Sequence, residues 1–130
     1  MVTDPISNLI ISLKNASLQG IEEITVPYSK IKNNILEVLK KEGYISDFEK
    51  KGKDIKKKLK VELKYDSGSP KINDVKRLSK FSKRVYKGVN EIYPVKNGYG
   101  ILVLSTPKGV ISDRDARKQK VGGEALFEIW

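Results

Sequence analysis

Four consecutive apolar residues, Ile101-Leu102-Val103-Leu104, place the strongest constraint on how this chain can fold. A short, partly β-branched run with no polar residue in alternation reads as a strand that has no face to give to water. Such a strand must be covered on both sides by the rest of the molecule. A chain of 130 residues can bury roughly two-thirds of its unfolded surface, enough to provide that cover without staples.

The first half supplies periodic apolar groups of two kinds. Asp4-Pro5 predicts an N-cap followed by proline at the first helical position. Ile6, Leu9, Ile10, Leu13 and Ala16 then share one helical face, and Gly20 ends the segment. Ile24-Thr25-Val26 is a short strand stopped by Pro27. Ser29 caps a second helix with the stripe Ile31, Ile35, Val38 and Leu39; Lys40-Lys41 suit its last turn and Gly43 closes it. Tyr44 to Phe48 reads as a strand, and residues 50–54 turn the chain. Leu59, Val61, Leu63 and Tyr65 alternate with Lys60, Glu62 and Lys64, the pattern of a half-buried strand. The order over residues 1–66 is therefore α-β-α-β-β.

Asp66-Ser67-Gly68-Ser69-Pro70 puts five turn-forming residues in a row and is the candidate linker. Beyond it the chain changes character. Residues 1–66 carry a net charge of +3 and residues 67–130 a net charge of +7, within a total of +10. The second half reads as mainly β. Residues 72–78 and 84–86 are possible strands, and Ser112 or Asp113 caps a short helix over 113–118. Gly122-Gly123 breaks the chain before a last strand in which Ala125, Phe127 and Ile129 alternate. The expected fold class is α+β, with an N-terminal α/β subdomain over 1–66 and a C-terminal, mainly antiparallel β subdomain over 67–130.

The chain contains neither cysteine nor histidine. Disulfide frameworks, thiolate zinc sites, cysteine nucleophiles and histidine-based triads are thereby excluded. No apolar run approaches the ~18–20 residues of a membrane span, and the start lacks the basic region and apolar core of a signal peptide. With a sequence pI of about 9.7, the expectation is a soluble intracellular protein with a polyanionic partner.

Several short segments admit both a functional and a plain reading. Residues 50–60 hold seven lysines, which suit either phosphate contact or a solvated hairpin that discourages edge pairing. Lys76-Arg77, Lys80, Lys83-Arg84 and Lys87 alternate with Leu78, Phe81, Val85 and Tyr86. Such interleaving can make a nucleic-acid face on which charges hold phosphates and a tyrosine stacks. Val85 reads better as a core residue, Tyr86 as a stacking one. Ser105-Thr106-Pro107-Lys108-Gly109 leaves the buried strand as small hydroxyls, a charge and a permissive glycine, suited to RNA or to a plain turn. Gly122-Gly123-Glu124 suits close approach of a ligand, with Glu124 accepting from a base amino group or a 2′-OH, or else a bulge before the last strand. The pairs Glu22-Glu23 and Asp113/Asp115 read as surface or cap residues. Gly98-Tyr99-Gly100 lacks the third glycine of a dinucleotide fingerprint and precedes a strand.

These segments, in this order, resemble the family of bacterial-type ribosomal protein number eight of the small subunit. Asp4-Pro5-Ile6, Lys14-Asn15-Ala16, Val26-Pro27-Tyr28-Ser29-Lys30 and Glu42-Gly43-Tyr44-Ile45 carry the likeness in the first half. Arg84-Val85-Tyr86, Gly98-Tyr99-Gly100-Ile101, Ser105-Thr106, Lys108-Gly109-Val110, Ala116-Arg117 and Gly122-Gly123-Glu124 carry it in the second. The resemblance implies two small packed α/β subdomains and direct binding to an irregular helix in the central domain of 16S ribosomal RNA. It also implies support of subunit assembly and repression of the chain's own operon through a messenger element that mimics the ribosomal site. The RNA-binding residues it implies are Tyr86, Arg84, Ser105, Thr106, Pro107, Lys108, Gly109, Gly122, Gly123 and Glu124. Thr3, Lys30, Lys32 and Lys56 would add backbone contacts from the first half. Further implications are a monomer outside the ribosome, ribosomal protein number five as a neighbour, no cofactor, no metal and no membrane. The location implied is the ribosome in the cytoplasm, or the organelle stroma or matrix for an organelle-encoded chain. Two positions depart from the family: Pro107 replaces a third small hydroxyl, and Phe81-Ser82 replace Pro-Gly. Competing expectations are a generic basic nucleic-acid binder, a small enzyme using lysine or carboxylates, and a basic membrane-surface protein.

Overall fold

The computed structural model describes residues 4–80 and 82–130; Thr3 and Phe81 lie outside the described residues. Residues 5–73 form one compact unit, and residue 4 with residues 74–130 forms a second.

The first unit runs α1 (Pro5–Leu18), β1 (Glu23–Pro27), α2 (Lys30–Lys41), β2 (Ile45–Lys51), β3 (Lys58–Leu63), β4 (Tyr65–Asp66) and β5 (Ser69–Pro70). A single 3₁₀ turn, Asp54–Lys56, leads into β3. The α-β-α-β-β order expected from hydrophobic periodicity is present. Ser29 caps α2 by accepting from the Lys32 N–H at 3.2 Å. Gly43 and Tyr44 donate to the carbonyls of Lys40 and Leu39, which closes the helix. β3 lies between β1 and β2 in an antiparallel sheet. Leu59, Val61 and Leu63 point inward while Lys58, Glu62 and Lys64 face water, so a register slip of one residue would exchange core for charge. Leu9, Ile10 and Leu13 of α1 and Ile35, Leu36 and Leu39 of α2 complete this core.

The turn-rich run at residues 66–70 is not a linker. It closes the β4–β5 hairpin inside the first unit, with Ser67 and Gly68 both at positive φ (52° and 84°). Two successive positive φ values suit the twist of a two-residue hairpin, and serine and glycine tolerate them better than bulkier residues.

The second unit holds β6 (Val75–Arg77), β7 (Tyr86–Lys87), β8 (Ile101–Thr106), β9 (Gly109–Ser112), α3 (Asp113–Gln119) and β10 (Gly123–Ile129). β10 is central, with β8 on one side and β6 and β7 in succession on the other; β9 pairs with the far edge of β8. All four members of the apolar run in β8 are buried. Leu102 and Leu104 pack with Ala125, Ala116 of α3, Ile92 and Val95. Ile101 and Val103 alternate onto the opposite face, where Phe127 and Ile129 stand beside them. Ser112 caps α3 by accepting from the Asp115 N–H at 3.3 Å. Asp113 is buried beneath it and accepts from the Leu102 N–H at 3.1 Å and from Arg117 Nη1 at 2.8 Å.

The expected alternation of Ala125, Phe127 and Ile129 on one face does not hold. Ala125 stands opposite Leu104 but Phe127 stands opposite Val103, so Leu126 is the extra residue of a bulge. The bulge moves Phe127 and Ile129 to the face opposite Ala125, and Leu126 is buried as well.

Candidate nucleic-acid interface

The register of β10 assembles residues that are far apart in sequence. Glu124 is paired with Ser105 on β8 and with Tyr86 on β7, and Ser105 is paired with Val110 on β9. Directly opposed residues on neighbouring strands project to the same face, so Tyr86, Glu124 and Ser105 form one row across three strands. Tyr86 is 68% exposed. Val85, one residue earlier, packs against the core of the unit. The Ser105 hydroxyl is half-buried and has no partner among the described residues.

The glycine pair lets this row form. A Cβ on Gly123 would lie 2.2 Å from the Ser105 carbonyl oxygen and 3.0 Å from Thr106 Cα. A Cβ on Gly122 would lie 2.3 Å from the Lys87 carbonyl oxygen and 2.9 Å from Gly88 Cα. Backbone cannot retreat from such contacts as a flexible side chain can. The close approach expected of these glycines is therefore made to the chain's own backbone on both flanks of β10, and no ligand is needed to account for them.

The β8–β9 turn is tied from within. Thr106 Oγ1 donates to the Gly109 carbonyl at 2.8 Å and accepts from the Lys108 N–H at 3.0 Å. Its hydroxyl hydrogen is thus committed to the turn and is not available to an RNA oxygen. Gly109 adopts φ 105°, a value that side chains disfavour. Pro107 and Lys108 form the turn between β8 and β9, with Pro107 at its first position, where proline is favoured. Pro107 and Lys108 are exposed.

Glu124 is also engaged. Its Oε2 accepts from the buried Ser79 hydroxyl and from Arg84 Nη1 at 3.0 Å. Arg84 therefore meets any approaching phosphate already paired with a carboxylate, and Glu124 keeps only Oε1 without a partner among the described residues. Ser79 did not stand out in the sequence. A buried serine carries no compositional mark, and only its place opposite β10 shows its use. Arg77, from the same basic cluster, donates to Asp4 at 3.0 Å and to the Leu126 carbonyl at 2.5 Å, and is structural. Lys80 and Lys83 are exposed and close a small loop through reciprocal backbone hydrogen bonds of 2.9 and 3.1 Å.

The basic positions of the first unit divide. Lys30 and Lys56 are exposed. Lys32 is buried: its ammonium donates to the Pro27 carbonyl at 3.3 Å, and desolvation holds its pKa below the ordinary lysine value. A backbone contact from Lys32 is at odds with that burial, because the inward face of α2 needs its aliphatic stem as packing. Within the lysine-rich run, Lys51 and Lys60 pair with Glu49 and Glu23, and Lys50 and Lys57 lie over the Tyr28 ring at 5.1 and 5.6 Å. The run is thus partly a self-paired hairpin and partly free charge.

Comparison with known proteins bears on the whole chain. The pattern of the family described as Ribosomal protein S8 matches residues 4–130. The chain is 44% identical over 130 residues to small ribosomal subunit protein uS8 of Mycoplasma mobile, covering 100% of this chain and 98% of that protein. It is 49% identical over 131 residues to the proteins of the same name from Helicobacter pylori (strain Shi470) and Helicobacter acinonychis, with 100% of each chain covered.

Proposed function

The chain belongs to the ribosomal protein S8 family, and on that premise we propose that it binds 16S ribosomal RNA directly, through the C-terminal half and at an irregular helix of the central domain. The family is a structural, non-enzymatic component of the small ribosomal subunit. The observation that carries the finer reading is the row Tyr86–Glu124–Ser105, which presents an exposed aromatic ring and, at a strand end, a hydroxyl without a partner among the described residues.

A regular A-form helix hides its base edges in a narrow major groove, so a protein reads shape, 2′-OH groups and distorted bases. Ser105 can meet a 2′-OH or base edge, and Tyr86 can stack. Thr106, Gly109, Gly122 and Gly123 shape the surface. Pro107 and Lys108 form its rim, and Arg84 and Glu124 supply a paired charge beside it. Lys30 and Lys56 add sequence-independent phosphate contacts; Lys32, being buried, is the weaker member of that group, and Thr3 lies outside the described residues. Assembly of the subunit, contact with ribosomal protein number five, residence in the cytoplasmic ribosome and repression of the chain's own operon follow from the same reading. A messenger element that mimics the irregular helix would use the same row.

The test is affinity for a 16S central-domain fragment against a fully paired duplex of equal length across a salt series. Neutralising ~6–10 phosphates costs about 10³–10⁵ in affinity between low and moderate salt for either RNA. The irregular fragment is expected to keep its preference as salt rises. Equal affinities that collapse together would leave only a generic basic binder.

A further inference from the structure

Ser79 belongs to no strand, yet it is 0% exposed. A buried hydroxyl is retained where it has partners, and its partners here tie β10 to the residue that precedes Tyr86. Its hydroxyl donates to Glu124 Oε2, its Oγ accepts from the Val85 N–H at 3.2 Å, and its own N–H donates to the Ala125 carbonyl at 3.1 Å. Ala125 answers by donating its N–H to the Val85 carbonyl at 2.8 Å. Both backbone groups of Val85 are therefore held, one by Ser79 and one by β10. Arg84 adds a second hydrogen bond to the same Glu124 oxygen.

Tyr86 follows directly. Its strand is two residues long, too short to fix its own direction, and its ring is exposed with no partner of its own among the described residues. The direction of Tyr86 is thus set on one side by the pairing of Lys87 with Gly123 and on the other by Val85, the side that Ser79 holds. We propose that Ser79 is a positioning residue for RNA recognition: its bonds to Glu124 and Val85 aim Tyr86 into line with Ser105. This rests on the reading that the row Tyr86–Glu124–Ser105 contacts RNA. Ser79 itself touches no RNA; it acts through the two residues that it holds.

The experiment compares Ser79→Ala, Ser79→Cys and Tyr86→Ala in the full chain, well below their unfolding midpoints. Cysteine keeps a γ atom, somewhat larger than the hydroxyl oxygen and only a weak donor, so it carries the test should alanine fail to fold. The readouts are the affinity ratio between the 16S central-domain fragment and the paired duplex, the salt slope, and amide hydrogen exchange at Val85 and Leu104. Loss of the Ser79 bonds is expected to lower the ratio by about tenfold, the scale of one charge-assisted hydrogen bond. Duplex affinity and salt slope should not change, and exchange should quicken at Val85 but not at Leu104. Adding Ser79→Ala to Tyr86→Ala should cost nothing further. If Tyr86→Ala lowers the ratio and both Ser79 variants leave it intact, the positioning role is overturned and the recognition row stands. If Tyr86→Ala leaves the ratio intact, the row is wrong and the role of Ser79 falls with it.

Discussion

The β2–β3 hairpin of the first unit and the β8–β9 hairpin of the second solve opposite problems with the same local topology. The first ends among lysines, with Ile55 at its tip 99% exposed and Lys53 and Lys56 reaching into water. The second ends in Pro107-Lys108, and its Thr106 hydroxyl is bonded twice within the turn. Fixing a long lysine side chain costs about 1.5–2 kcal/mol of rotamer entropy, whereas serine and threonine lose much less. The lysine hairpin can therefore supply attraction to any polyanion but little geometry. The small-residue hairpin supplies geometry with little charge. On the proposed reading, discrimination between RNA shapes belongs to the second, and the salt-dependent affinity shared by all RNAs belongs to the first.

The largest expected effect breaks the geometric side of this contrast. Gly123→Ala places a methyl group against the Ser105 carbonyl and Thr106 Cα. Neither can move without unzipping β10 from β8. Overpacking against backbone should cost about 2–4 kcal/mol and lower Tm by about 10 °C. Thermal unfolding checks this, and an unchanged midpoint would mean that the strands part at no cost and that the row is not rigid.

A paired substitution sharpens the contrast at smaller cost. Tyr86→Ala should weaken binding to the irregular RNA by about 1–3 kcal/mol, the usual worth of a base stacked on an aromatic ring, and leave duplex binding alone. Lys56→Ala should weaken both RNAs alike and reduce the salt slope by about 0.9, one phosphate contact. Titrations of both variants at several salt concentrations separate the two. A selective loss in Lys56→Ala, or a uniform one in Tyr86→Ala, would reverse the roles assigned to the two hairpins.

What could be read from sequence was local, and what could not was register. The caps at Ser29 and Ser112, the stripe Leu9-Ile10-Leu13 and the alternation of Leu59, Val61 and Leu63 depend on neighbours within one turn or strand, and each takes its expected place. The burial of Ile101 to Leu104 was legible because four apolar residues in succession leave no alternative face. The burial of Lys32 was not legible, because a lysine in a helical stripe reads as a solvated residue and gives no sign that its stem will lie on the inward face. The turn residues at 66–70 read as a linker because turn-forming composition cannot say whether it joins two units or two strands of one. The bonds from Glu124 to Ser79 and Arg84 span 45 and 40 positions and depend on how β10 meets its neighbours. Nothing local marks Glu124 as already occupied. The same holds for Gly122 and Gly123, whose neighbours on either flank are Lys87 and Ser105.

The smallest expected effect tests whether the two units respond independently to pH. Tyr65, on β4 of the β4–β5 hairpin, donates its phenol to the Ile21 carbonyl at 2.5 Å and is also near that of Ala16, at 3.4 Å. Desolvation, aided by the charge of Glu22, raises the phenol pKa above its ordinary value of 10.0. Between the unfolded and folded values the native state binds more protons than the unfolded state. The stability contributed by the phenol is therefore fully present below 10.0 and is lost as pH rises through the folded value. Tyr65→Phe should cost about 1 kcal/mol at neutral pH, the worth of one hydrogen bond. The stabilities of wild type and variant should then converge as pH is raised past 10.0, and the deprotonation of lysines, common to both, cancels in the difference. Amide exchange should show that difference at Ile21 and in β3 of the first unit, and none at Leu102 to Leu104 of β8. Curves that stay parallel through the alkaline range would mean that the phenol does not hold its proton against the Ile21 carbonyl, and that the first unit has no alkaline weak point that the second lacks.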